Sequence, residues 1–466
     1  MILSGWKHRC RWTKPFENSG SVLVTVLAVM VILLLLFLAA FTYIANRRSF
    51  HIKQQNRLIA RHLSEAGITR RLNHLSEHGV KYDTISFEAP NGGQVISYLS
   101  PWGPFALAIS KGKYANQEII TTSLIGSRAN KYFDAAITVG DESLPLVATG
   151  NTNITGDVNT GPLGITTGRM RGEAIVNENF HKGETIICKS ITIPQLDTNL
   201  LNRYAKEAFM RKHQCKKVLE GSWIIDSSNI SILQNHNCLS VENNLKIRNV
   251  IFERSDNTEI KSIFVQGYVE IEGNTRISGL IEIISNGAIY VRDSAVIDNM
   301  ILMTPDSIVI GDHSKFSSIA ISSSKLIVKD NAELIYPSLL LFRDKKQTTE
   351  IETGIFLRSR KRMESVCYVE KNLDSKGKDS PLIYLDSLSR FTGFIISQGK
   401  ADLRGRVYGS VVTERFYYFL PPTTYVNWIK DFQIDRAQLD YRPALPLMSG
   451  SDEKSKFAIL RQDIWK

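Results

Sequence analysis

The run from Ser21 to Ala45, SVLVTVLAVMVILLLLFLAAFTYIA, contains no charged residue. It exceeds both the ~20 apolar residues that cross a bilayer and the ~7–15 of a cleaved secretory signal. A chain with such a segment is expected to be held at a membrane, its remaining residues folded on one side. Basic residues lie on both flanks, from Lys7 to Lys14 before the run and at Arg47, Arg48 and Lys53 after it, so charge alone leaves the orientation open. The β-rich remainder favours a single pass through the inner membrane. The N-terminus is then cytoplasmic and the C-terminal domain periplasmic or at the cell surface.

The helical pattern continues beyond the apolar run. Ile52, Ile59, Leu63, Ala66, Leu72 and Leu75 recur at close to 3–4 residue spacing, and no proline occurs between Pro15 and Pro90. One helix from about Val22 to Leu75 would be roughly 80 Å long. Gly67 is its weak interior position, at a cost of ~1 kcal/mol.

A basic leader ending in Gly20, the start Ser21-Val-Leu-Val-Thr25, and Leu63-Ser-Glu65-Ala66-Gly67-Ile68 near the helix end together resemble type IV pilin-like proteins, in particular minor pilins of the PilX kind. The resemblance covers about residues 7–75. It implies cleavage between Gly20 and Ser21 by a prepilin peptidase and packing of the helix among other pilin-like subunits. Thr25, Glu65, Ala66 and Gly67 are then the candidate assembly positions. Thr25 departs from the pattern of major pilins, which carry a glutamate there to neutralise a neighbouring subunit's amine. That departure implies a minor subunit rather than a self-polymerising one. The competing reading is an uncleaved signal anchor.

Beyond the helix the sequence repeats. Leu280, Met300, Ile319 and Leu339 open successive units of 19–20 residues. Complete units carry a β run (Ile289-Tyr-Val291, Ile308-Val-Ile310, Leu326-Ile-Val328), then an aspartate (Asp293, Asp312, Asp330), then another apolar cluster at Val296-Ile297, Phe316 or Leu334-Ile335. Short strands punctuated by Gly, Asn, Asp and Ser at this period predict a right-handed parallel β-helix, because each unit buries its aliphatic residues only by stacking on the next. A β-sandwich is the alternative. The rung style resembles bactofilin-like β-helices. A second pattern matches Gly150, Ile154, Gly156 and Val158 to Gly399, Leu403, Gly405 and Val407.

The fold class expected is therefore mainly β: a long transmembrane helix followed by a β-helix-like domain with insertions. Its divisions are a leader at 1–20, the helix at 21–78, a small β or α+β region at 79–135 and first rungs at 136–192. A helical insertion at 193–217, rungs at 218–342, a polar insertion at 343–380, final rungs at 381–413 and a C-terminal segment at 414–466 complete it. The tail after Tyr441 reads as loosely held.

Chemistry-bearing residues are sparse. The stacked aspartates read as turn residues rather than calcium ligands, since the preceding unit has Gly273 at that place. Outside the leader, Cys188, Cys215, Cys238 and Cys367 permit disulfides in three pairings, Cys215–Cys238 foremost. The two H-x-C motifs, His213-Gln-Cys215 and His236-Asn-Cys238, match no zinc module, and no metal or cofactor is expected. Motifs for metalloproteases, serine hydrolases and P-loop enzymes are absent, so no catalytic residue is assigned. The net charge of +11 is diffuse, with small concentrations at Arg211, Lys212, Lys216, Lys217 and at Arg358, Arg360, Lys361, Arg362. Such a surface suits lipid headgroups or acidic surface glycans, and no nucleic-acid motif accompanies it. The expected function is structural: a membrane-anchored minor pilin-like or pseudopilin-like component presenting a β-helix for assembly or adhesion. The alternatives are an anchored envelope scaffold and a carbohydrate-active β-helix enzyme.

Overall fold

A computed structural model describes residues 19–90, 92–129, 131–141, 143–254, 259–344, 353–371, 381–439, 443, 445–449 and 457–462. The basic leader lies outside the described residues. The fold is mainly β: one long apolar helix leads into a large parallel-stranded domain.

Helix α1 runs from Ser19 to His78 as a single 60-residue element. Its apolar first half is exposed throughout, and it is long and apolar enough to cross a membrane. Burial begins at Ala60 and recurs at Leu63, Ser64, Gly67, Ile68, Arg71 and Leu75, one stripe at helical spacing.

That stripe lies on an antiparallel sheet of β1 (Thr84–Glu88), β2 (Gln94–Trp102), β3 (Phe105–Tyr114), β4 (Gln117–Ser127) and the strand Phe457–Gln462. The sequence of β3 shows how one strand serves two partners, because alternate side chains leave on opposite faces. Ala106 and Ala108 pack with Ile68 and Leu75 of α1. Phe105, Leu107 and Ile109 pack with Ile301, Ile319 and Ile321 of the large domain. Small residues therefore face the helix and large ones face the coil.

The large domain is a parallel β-helix, which excludes the sandwich. The β runs of the repeat pair in the expected register: Ile289 opposite Ile308, and Ile308 opposite Leu326. The third clusters pair likewise, Ile297 with Phe316 and Phe316 with Leu334. One continuous core of inward aliphatic side chains fills the coil.

Its stacking order departs from the sequence order. The first rungs expected at 136–192 do not precede the rung at Lys217–Leu219, which pairs only with Cys238–Val241 among the described strands. Val411 of the last long strand pairs with Ile137, and Ile137 pairs with Val158. The strand Gln433–Asp435 lies between Arg406–Tyr408 and Asn153–Thr155. The coil thus begins and ends at one end, and residues between 188 and 217 carry the chain to the other. Helix α2 (Thr198–His213) lies on that crossing, where an insertion between adjacent rungs was expected. The two Gly motifs do not stack in the register that their spacing predicts. Ile154 occupies the column of Val407 through Ile434, not that of Leu403. Aliphatic-to-glycine spacing is similar on each side of such a coil, so it does not say which side a strand occupies.

Two further expectations are corrected. Residues 343–380 are not simply a polar insertion: Gly354–Leu357 and Met363–Glu370 form a rung, with Ile355 and Cys367 in the core. Residues 345–352 and 372–380 lie outside the described residues. The tail is anchored, since Leu445 and Leu447 are buried and Phe457–Gln462 pairs with β4. Apolar side chains at those positions close the edge of the antiparallel sheet.

Candidate functional site

The residues singled out on α1 fall into two environments. Gly20 and Ser21 lie in its first turns, with their side chains outside the described residues. Thr25 is exposed, and its hydroxyl donates to the carbonyl of Val22 at 2.9 Å. From Val22 to Leu38 the helix presents valine, leucine, isoleucine, methionine and phenylalanine to its surroundings, all exposed among the described residues. Such a surface requires lipid or other helices around it.

The Glu65-Ala66-Gly67 triplet divides at the other end. Glu65 is half-buried and pairs with Arg61 at 3.0 Å. Ala66 points outward. Gly67 faces the sheet, where a Cβ would stand 2.1 Å from Ser110 Oγ and 2.7 Å from Val95 Cγ1. Its absent side chain permits close approach of helix and sheet, a packing role rather than a weak point. Gly112 of β3 answers it, since a Cβ there would meet the Ala60 carbonyl at 2.2 Å. Arg71, missed in the sequence, is fully buried in this interface. It donates to Asp83 Oδ1 at 2.6 Å, to the Asp83 carbonyl at 2.7 Å and to the Ser97 carbonyl at 2.6 Å. Desolvation raises the Asp83 carboxyl, but the Arg71 bond and charge outweigh it and hold the group below the usual carboxylate range. An arginine one residue before Leu72 in a 3–4 pattern was the available signal.

Helix α2 is fastened at both ends. Asp197 caps its N-terminus, accepting from the backbone of Asn199 at 3.0 Å and Leu200 at 3.2 Å. Glu282 of the coil is fully buried and accepts from Tyr204, Ser262 and both sides of the Arg211 fork at 2.6–2.9 Å. Burial, then the neighbouring Glu282 charge, pushes the Tyr204 phenol well up. Just beyond α2, Cys215 is bonded to Cys238, with their Cα atoms 5.2 Å apart. Cys188 and Cys367 are free, and burial raises the Cys367 thiol. The bonded pair removes both cysteines of the H-x-C motifs from metal ligation. Among the described residues no three His, Cys, Asp or Glu side chains group to hold a metal. Near this bridge Lys261, almost fully buried, donates to the carbonyls of Leu233 and His236. Burial, with repulsion from Arg254, lowers it to about 8. Replacing Cys215 and Cys238 with serine should lower the urea midpoint of unfolding by the equivalent of about 2–4 kcal/mol. An unchanged midpoint would show that the bridge adds nothing to the stability that the Asp197 cap, Glu282 and apolar packing already supply.

Two of the three stacked aspartates serve turns. Asp293 has φ +57° and accepts the backbone N–H of Gly273, while Asp312 accepts that of Asn331. Each carboxylate bridges to a neighbouring rung, as a corner residue does.

Among the described residues, one helix long and apolar enough to span a membrane, an antiparallel sheet seated on its distal half and a parallel β-helix beyond define the class: a mainly β protein led by a long apolar helix. Comparison with known protein families and with curated proteins finds no match. Among solved structures the chain is similar to the competence-associated pilin ComZ from Thermus thermophilus, at 12% identity, covering 87% of this chain and 97% of that one. The TM-score of 0.24 is too low for a residue correspondence, and none is drawn.

Proposed function

We propose that this chain is a membrane-anchored, non-enzymatic minor pilin-like subunit that displays a β-helix domain for assembly or adhesion. The observation that carries the reading is the two-part character of α1. Its distal half is seated on its own sheet, whereas its proximal half is apolar and exposed, without a partner among the described residues. A helix of this kind suits both a lipid bilayer and a bundle of similar helices. The Gly20-Ser21 junction, followed by Thr25 in place of glutamate, supports processing by a prepilin peptidase and a minor place among pilin-like subunits. Inner-membrane insertion with the β-helix outside follows from the same reading, and acidic surface glycans are the ligand class that the net charge suits. Polygalacturonate recovered at its starting length after incubation with the protein checks the non-enzymatic part.

The test is the mass and terminal peptide of the protein from its native membrane. The expected terminus is Ser21, lost in cells without prepilin peptidase. A terminus at Met1 instead leaves an uncleaved envelope scaffold.

A further inference from the structure

One outer face of the coil carries a column of side chains that the core does not use. Tyr290, Val309, Ile327, Phe356 and Tyr384 occupy equivalent outward positions on five successive rungs, all half-buried except Phe356, which is buried. At ~4.8 Å per rung the column is roughly 19 Å long. Beside it runs a second column, Arg292, Gly311, Lys329, Arg358, Asp386 and Arg404, in register by the backbone bonds to the preceding rungs, so that four cations share it with one carboxylate. Three of these cations lie over rings of the first column: Arg292 at 4.7 Å from Tyr290, Arg358 at 5.9 Å from Phe356 and Arg404 at 5.6 Å from Tyr384.

At its far end the column meets an aromatic hairpin. Tyr417 to Leu420 pairs with Thr423 to Val426 across Pro421-Pro422, and Phe419 is exposed at 45%. Lys400 lies 5.0 Å from the Tyr417 ring and Arg404 4.4 Å from that of Tyr418. The hairpin thus bounds one end of the face.

Charge decides what the face fits. Lys329, Arg358, Arg360 and Lys361 are exposed at one corner and make no ion pair among the described residues. The carboxylates nearby are largely committed. Glu270 holds Arg292 and Lys246, Asp402 holds Arg404, and Asp293, Asp312 and Asp386 accept backbone N–H groups at turns. Asp330 remains as the carboxylate next to Lys329.

We propose that this face docks an anionic polysaccharide, laid along the coil axis. Its sugar rings would pack on Tyr290, Val309, Ile327 and Tyr384, the half-buried members of the column, and its carboxylates meet Lys329, Arg358, Arg360 and Lys361. A single-stranded nucleic acid is less well matched, because base stacking uses successive aromatic platforms and aliphatic Val309 and Ile327 hold the central rungs. The proposal rests on the acidic-glycan part of the functional reading and is independent of how the N-terminus is processed.

The experiment uses the full chain in detergent, with polygalacturonate and neutral dextran as immobilised probes. Retention on polygalacturonate, weakened by salt, with none on dextran is the expected result. The double variant Lys329→Ser, Arg358→Ser should bind about tenfold more weakly. Tyr384→Ser should also weaken binding, with an unchanged circular dichroism spectrum. Lys216→Ser, Lys217→Ser removes the same charge at the opposite end of the coil and should bind as the parent does. Equal loss in both double variants would reduce the effect to net charge and overturn the proposal. So would absence of retention, or retention of an oligonucleotide in preference to polygalacturonate. The proposal can fail in any of these ways while the protein still begins at Ser21, and a Met1 terminus leaves it untouched.

Discussion

Replacing Glu282 with alanine should release α2 from the coil and destabilise the domain by roughly 3–5 kcal/mol. The carboxylate has no exposed surface and accepts four hydrogen bonds, from Tyr204, Ser262 and Arg211. Its removal strands the Tyr204 hydroxyl and the Ser262 hydroxyl in a dry site, each costing about 1–3 kcal/mol when unsatisfied. The side chain of Arg211 retains partial exposure and can reach water, which limits the loss. Glu282→Gln keeps the shape and part of the bonding, so its effect should be smaller. Hydrogen exchange of the α2 amides is the direct measurement. If those amides stay as protected in the alanine variant as in the parent, α2 is held by apolar packing and the Cys215–Cys238 bond, and the carboxylate is dispensable.

Gly112→Val should separate α1 from its sheet. The added Cβ would lie 2.2 Å from the Ala60 carbonyl oxygen and 2.5 Å from the Ser64 nitrogen. Both are backbone atoms, so no rotamer change relieves the clash, and the helix must lift as a body. Overpacking of this kind costs about 1–3 kcal/mol, and here the upper end applies because the bond between Ser64 and Thr121 at 2.5 Å is lost as well. Protease cleavage within residues 60–75 should become faster in the variant. Ala66→Val, on the outward side of the same turn, should leave cleavage unchanged. Comparable cleavage in the two variants would mean that the close approach through Gly112 is not what holds the helix down.

A feature is legible in this chain to the extent that its signal is local. The uncharged run from Ser21 and the stripe that follows it state a long helix outright, because helical spacing is a property of near neighbours. The 19–20 residue period was equally legible: Ile289, Ile308 and Leu326 stand one above another as their spacing demands. Asp293 and Asp312 announced corners, since a short carboxylate that tolerates a left-handed backbone serves turns better than most side chains. In contrast, Arg71 was hidden. A buried guanidinium becomes recognisable only when Asp83 and the Ser97 carbonyl are known to be beside it.

What the sequence by itself determined is the kind of element along most of the chain: an apolar helix, rungs of a coil, turns between them and a helix near 196–212, but neither the rung within 343–380 nor the paired tail. Tertiary structure decided which rung neighbours which. The edges of parallel rungs are chemically alike, each offering N–H and C=O groups to any strand of matching length. Ile137 therefore meets Val411 rather than a nearer rung, and Ile434 comes between Val407 and Ile154. Only the path of the whole chain, with α2 fastened to Glu282, selects that order.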